Sequence, residues 1–94
     1  MNYSLTAKHI VVKGEVQGVF FRKTAKQVAE ALNITGWVKN TEEGNVEIFA
    51  QASEDKIAQL TEWCKQGPPR AEVEDVEVKD AKPDQNIKQF SIAY

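Results

Sequence analysis

The sequence has one cysteine, one histidine and three prolines in 94 residues. A lone cysteine forms no internal disulfide, which excludes a disulfide-stapled secreted scaffold and fits a reducing cytoplasm. One histidine and one cysteine do not make a His/Cys metal centre. No apolar run approaches the roughly 20 residues of a membrane-spanning helix. No secretory leader is expected at the start, which reads as the short polar stretch Met1-Asn2-Tyr3-Ser4. An excess of one charge is also missing. Twelve Lys and Arg face fourteen Asp and Glu, a formal net charge of −2. A general nucleic-acid binder is usually basic. Repeats and low-complexity segments are absent.

What is present is a chain that is 41% apolar, enough for one small core and a single domain over residues 1–94. Ile10, Val11 and Val12 lie in a first strand expected over about residues 6–14. Ala25, Val28, Ala29 and Leu32 follow helical spacing, so a helix is expected over about 22–33, with Asn33 as a left-handed cap. Lys23 and Lys26 in it read as solvated surface charges. Two strands, about 35–41 and 45–52, form a hairpin around Gly44-Asn45. Val46, Ile48 and Ala50 face the core in this reading, and Trp37 and Val38 point to opposite faces. Ser53 is placed as the N-cap of a second helix, about 54–65, whose buried stripe includes Ile57, Leu60 and Cys64. Cys64 is therefore a small core residue and not a nucleophile.

A fourth strand spans about 71–79, with Val73 out of phase with Val76 and Val78, which signals a bulge. After a loop over about 81–86, Phe90, Ile92 and Tyr94 alternate in a last strand running to residue 94. The order β-α-β-β-α-β, with an extra strand near the C-terminus, is the ferredoxin-like split βαβ pattern of the α+β class. It implies an antiparallel sheet with two helices on one face. His9 is read as an exposed strand histidine without a catalytic partner.

Gly14-Glu15-Val16-Gln17-Gly18-Val19-Phe20-Phe21-Arg22 joins the first strand to the first helix. Glycines let a loop turn tightly and aim successive N–H groups inward. The helix adds its free N–H groups and the positive end of its dipole. Arg22 adds a planar fork of donors suited to phosphate or carboxylate. Together these make an anion cradle. Plain turn glycines and an ordinary surface ion pair at Arg22 are the simpler alternatives on these residues alone. The string is not a Walker loop, because Gly-Lys-Ser/Thr is missing, and it lacks the third glycine of a dinucleotide site.

The same string resembles the signature that acylphosphatases carry after their first strand, Gly-x-Val-Gln-Gly-Val-x-Phe-Arg. Gly36-Trp37-Val38-Lys39-Asn40-Thr41 with Gly44 and Val46 is similar to that family's second motif, and Gly67-Pro68-Pro69-x-Ala71-x-Val73 to its second-helix exit. The resemblance covers nearly the whole chain in order. It departs at Glu15, where the family often has arginine. A carboxylate beside an anion loop would oppose binding.

The resemblance implies the acylphosphatase-like sandwich and hydrolysis of the carboxyl-phosphate bond of acyl phosphates. It implies that Arg22 binds phosphate and Asn40 positions the attacking water. The N–H groups of Val16, Gln17, Gly18, Val19, Phe20 and Phe21 are expected to hold phosphate oxygens, with Phe21 also packing in the core. Asn40 on its own also reads as a residue entering a hairpin turn. No metal or other cofactor is expected, since positioning and electrostatics carry most of phosphoryl transfer. The expected protein is a cytoplasmic monomer acting on a small-molecule acyl phosphate, without nucleic-acid or membrane partners. Two other readings share the element order. One is a non-catalytic phosphate-binding accessory domain, as in larger carbamoyl-transfer maturation proteins. The other is an RNA-recognition-like module, which the single aromatic and the acid of Val46-Glu47-Ile48-Phe49-Ala50 disfavour.

Overall fold

The computed structural model describes residues 5–94, so the expected polar start at residues 1–4 lies outside the described residues. The elements are β1 (Thr6–Glu15), α1 (Phe21–Ala31), β2 (Thr35–Asn40), β3 (Val46–Ala52), α2 (Glu54–Gln66), β4 (Glu72–Ala81) and β5 (Phe90–Ile92). They build a five-stranded sheet in the order β4-β1-β3-β2-β5. Two helices pack on it, which is the ferredoxin-like α+β arrangement. Among the described residues no helix is long and apolar enough to cross a membrane.

Alternation along each strand decides what the helices cover. Ile10 and Val12 of β1, Val38 of β2, and Val46, Ile48 and Ala50 of β3 are fully buried in one core cluster. α1 adds Phe21, Ala25 and Ala29, and α2 adds Ile57, Leu60 and Cys64. The ring of Phe21 meets that of Trp63 at 5.1 Å, so one aromatic pair ties the two helices together. Desolvation pushes the Cys64 thiol up to about 12, as suits a buried core residue. Asn33, at φ 58, ends α1 in the left-handed conformation expected of it.

The expected bulge is present. Lys13 pairs with Asp75 and Gly14 with Val73, so Glu74 is the extra residue. A bulge bends its strand. Here it lies where β1 hands the chain to the loop before α1.

Three expectations need correction. The sheet is antiparallel through four strands, but β5 pairs parallel to β2. The chain reaches β5 from the opposite edge through residues 82–89. Gln51 pins that crossing by donating to the Asp84 carbonyl at 2.8 Å and accepting from the Asp84 N–H at 2.8 Å. The last strand stops at Ile92. A bond from the Ala93 N–H to the Val38 carbonyl (2.8 Å) closes the pairing, and Tyr94 leaves the sheet. Ser53 is the N-cap by position, but its side chain makes no capping bond; its backbone carbonyl accepts from Lys56 and Ile57.

His9 is not freely exposed. It packs edge-on against Trp37 and Phe49, at 5.8 and 5.5 Å between ring centroids, with Glu47 at 3.2 Å from Nδ1. These side chains lie on the sheet face opposite the helices. The open face thus has a small aromatic cluster that single-strand alternation hardly signals.

Gly36 pairs with Ala50 of β3. Its φ is 144°, and a Cβ there would lie 1.8 Å from the Phe49 carbonyl oxygen. Gly36→Ala is therefore expected to destabilise the protein by about 2–4 kcal/mol, through strain and strand separation together. A urea titration checks this: the midpoint should fall with an unchanged slope. A midpoint equal to that of the parent would show that the strands part at no cost.

Candidate functional site

The loop between β1 and α1 turns on Gly18, at φ 74°, where a Cβ would meet nothing within 4 Å. The glycine serves backbone direction and not packing. Phe20 is also left-handed, at φ 64° and ψ 24°, and serves as the N-cap of α1. Its carbonyl accepts from the Thr24 N–H at 3.0 Å and from Thr24 Oγ1 at 2.9 Å. Among the described residues the N–H groups of Gln17, Gly18, Val19 and Phe20 donate to no protein acceptor. Successive free N–H groups in such a turn form a concave anion-binding nest.

The charge around the loop favours an anion. The first turn of α1 contains no acid, whereas that of α2 contains Glu54 and Asp55. The positive end of the α1 dipole is thus left uncompensated by its own helix. Arg22 and Lys23 add two cations to the same turn. Among the described residues no carboxylate is paired with Arg22.

A cavity of about 430 Å³ opens at this place. Val16, Gly18, Phe20 and Phe21 line it from the loop and Arg22 and Lys23 from α1. Asn40 lines it from the end of β2, and Ile92 and Tyr94 from the C-terminal segment. The fold therefore brings Arg22 and Asn40, which belong to different elements, to one cavity. Gln17 and Val19, expected in the cradle, do not line it. Val19 packs against the core. The Gln17 side chain turns toward the β2–β3 hairpin and donates from Nε2 to the carbonyls of Thr41 (2.9 Å) and Asn45 (2.8 Å). It fastens the loop to the residue that follows Asn40.

Glu15 is not a wall of the cavity. It is exposed and pairs with Glu72 across β1 and β4. A hydrogen bond shared with the Glu72 carboxyl, then repulsion by Glu72 and Glu74, holds its carboxyl above the usual carboxylate range. The expected opposition to anion binding therefore loses its geometric basis. Lys23, read from sequence as a surface charge, does line the cavity. Ile92 and Tyr94 were missed as site residues. The alternation Phe90-Ile92-Tyr94 was visible, but nothing local says that this segment lies beside the end of β2. The Tyr94 ring sits over the Arg22 guanidinium, 5.3 Å from its central carbon to the ring centroid. Among the described residues no three His, Cys, Asp or Glu side chains are grouped to hold a metal ion.

Comparison with known proteins places this chain in a family. The family model described as Acylphosphatase matches residues 8–92. An acylphosphatase of Coxiella burnetii is 51% identical over 71 residues, covering 76% of this chain and 75% of that protein. The crystal structure of acylphosphatase from Bacillus subtilis superposes with a TM-score of 0.90 at 36% identity, covering 97% of this chain and 100% of that one. The crystal structure of HypF from T. kodakarensis superposes with a TM-score of 0.83 at 31% identity, over 95% of this chain but 12% of that much longer one.

Glu15 supplies a test of the electrostatics beside the site. A carboxyl whose value is raised in the folded state holds its proton better there than in the unfolded chain. Its contribution to stability is fully present below the usual carboxylate range and is lost as pH rises through its raised folded-state value. Glu15→Gln is therefore expected to raise the thermal midpoint at pH 7 and to leave it unchanged at pH 3. Inhibition by inorganic phosphate should stay within about twofold, because Glu15 lies outside the cavity. Thermal scans at both pH values and one inhibition series check these outcomes.

Proposed function

Because the chain belongs to the acylphosphatase family and hydrolyses acyl phosphates to a carboxylate and inorganic phosphate, we propose that the loop amides and Arg22 hold the phosphoryl group while Asn40 orients the attacking water. The observation that supports this assignment most is the shared cavity, where Gly18, Arg22 and Asn40 meet from three different elements. The direct test of activity is release of phosphate from benzoyl phosphate by the purified chain.

An acyl phosphate is a mixed anhydride whose carboxylate is a good leaving group. The enzyme's work is to hold the phosphoryl oxygens, stabilise charge on them, and aim one water at phosphorus. The free N–H groups of Gly18 and Phe20, which line the cavity, offer their partial positive charge to the oxygens, and those of Gln17 and Val19 belong to the same turn. The α1 dipole adds to that field. The Arg22 fork matches two phosphoryl oxygens at once and tightens on them as the bond to the carboxylate lengthens.

Asn40 offers a carbonyl that accepts a hydrogen bond and an amide that donates one. Both fit a water molecule, which donates to the first and accepts from the second. An amide is too weak a base to take the proton, so its role is orientation. The water's oxygen bonds to phosphorus and the bond from phosphorus to the acyl oxygen breaks. The carboxylate leaves with the bonding pair, and the water's proton passes to a phosphoryl oxygen of the substrate. In the same reading the chain acts as a monomer. Its buried, unpaired Cys64 fits the reducing cytoplasm.

Arg22→Lys is expected to lower kcat/KM by about 10²–10³, because an ammonium does not reproduce the planar fork. Phosphate inhibition should weaken with it. Near-normal turnover and inhibition in that variant would remove Arg22 as the anchor.

Asn40→Ala separates orientation from folding. The variant is expected to stay folded and bind phosphate nearly normally while kcat falls by at least about 10². Thermal midpoint, phosphate inhibition constant and kcat measured on one preparation decide it. A folded variant with normal turnover would leave water positioning to the loop or the substrate.

A further inference from the structure

We propose that the cavity selects among acyl phosphates, favouring a flat apolar acyl group held against Phe20 and Tyr94. This inference rests on the phosphoryl site described above and extends it from the phosphate to the group attached to it. The volume calls for such an extension. At about 430 Å³ the cavity lies within the roughly 300–1,000 Å³ that enclose a small organic ligand, more than a phosphoryl group alone fills. Its lining is also divided. Gly18, Arg22 and Asn40 supply the polar groups assigned to phosphate and water, while Phe20, Ile92 and Tyr94 present apolar surface.

Phe20 is the residue that folding by itself does not explain. It holds the left-handed conformation at φ 64°, which a side chain with a Cβ disfavours. It is 71% exposed, so its ring takes little part in the core. A glycine would meet the backbone requirement without strain. A bulky aromatic that is both strained and exposed at the rim of a cavity is a feature that ligand contact would explain. Thr24 holds the conformation through both its N–H and its hydroxyl.

Tyr94 meets the cavity from the other end of the chain. It is fully exposed, yet its ring lies over the Arg22 guanidinium at 5.3 Å. The cation assigned to the phosphoryl oxygens therefore has an aromatic ring beside it, and an acyl group attached to that phosphoryl is drawn alongside. Offset and edge-to-face contacts between aromatic rings favour an aryl group over a methyl there. Lys23 lines the same cavity and offers the competing preference, an acyl group with a second anion.

The test compares substrates and analogues. Values of kcat/KM for benzoyl, acetyl and succinyl phosphate are measured for the parent, Phe20→Gly, Tyr94→Leu and the double variant. The quantity read is the benzoyl-to-acetyl ratio relative to the parent, so the different reactivities of the two substrates cancel. Each single change should lower that ratio about 3–10-fold, within the discrimination that one apolar contact provides. Calorimetric binding of benzylphosphonate against methylphosphonate gives the same comparison without turnover. The benzyl compound should bind the parent about 10-fold more tightly, and the advantage should vanish in the double variant. A parent that binds both phosphonates and favours the benzyl one but hydrolyses no acyl phosphate would sink the catalytic reading and leave the subsite standing. Ratios unchanged in every variant, equal phosphonate affinities in the parent, or a preference for succinyl phosphate lost in Lys23→Ala would overturn the aromatic subsite. Circular dichroism and thermal midpoints confirm that each variant is folded.

Discussion

Two hydrogen bonds from one amide nitrogen hold the candidate site together. Gln17 Nε2 donates to the carbonyls of Thr41 and Asn45, at 2.9 and 2.8 Å. The first lies one residue after Asn40, and the second lies at the foot of β3. The hairpin between them is closed by its own bond from the Thr41 N–H to the Asn45 carbonyl at 2.9 Å. The loop after β1 and the turn after β2 are otherwise independent connections on the surface. Joined by Gln17, they present Gly18, Arg22 and Asn40 to one cavity. Deleting the amide would remove both bonds at about 0.5–1.5 kcal/mol each, since the Thr41 carbonyl keeps the Gly44 N–H at 3.2 Å and the Asn45 carbonyl keeps the Thr41 N–H.

Electrostatics act on the same place from the backbone outward. α1 begins without an acid, its first-turn N–H groups follow a loop whose amides are free, and two cations stand beside them. α2 shows the ordinary alternative, with Glu54 and Asp55 answering its own dipole. The acids near α1 are turned elsewhere. Glu15, Glu72 and Glu74 gather along the β1–β4 pairing, next to the bulge that bends β1 toward the loop. There they repel one another on a part of the surface that does not line the cavity. The exposed charges of β4 also blunt a free sheet edge.

The other edge shapes the outer half of the cavity. Residues 82–89 carry the chain from β4 across to β2, and the Gln51 carboxamide fixes the crossing by bonding at both of its ends. β5 then pairs parallel to β2 for three residue pairs. That short pairing sets Ile92 and Tyr94 beside Asn40 and Arg22. A buried glutamine on the sheet and a three-residue strand at the edge thus decide what an acyl group would meet, although neither touches the phosphate loop.

Periodicity alone specified much of this protein. The apolar stripes of α1 and α2, the alternation of β3, the hairpin at Gly44-Asn45, the left-handed Asn33 and the bulge near Val73 all follow from side-chain spacing and local backbone preference, and the structure has each of them. The loop of residues 14–22 announced an anion cradle, and the resemblance of three motifs named the family. Arg22 and Asn40, proposed to hold phosphate and water, could be named in advance because they stand in those motifs. Pairing partners were not legible in the same way. The parallel joining of β5, the turn of Gln17 away from the cavity, the pairing of Glu15 with Glu72, the entry of Lys23, and the placing of Tyr94 over Arg22 depend on segments far apart in the chain. Spacing records which face a residue takes on its own element. Which distant element lies against that face is decided only when the sheet order forms, because hydrogen bonds and burial between remote segments have no local period to mark them.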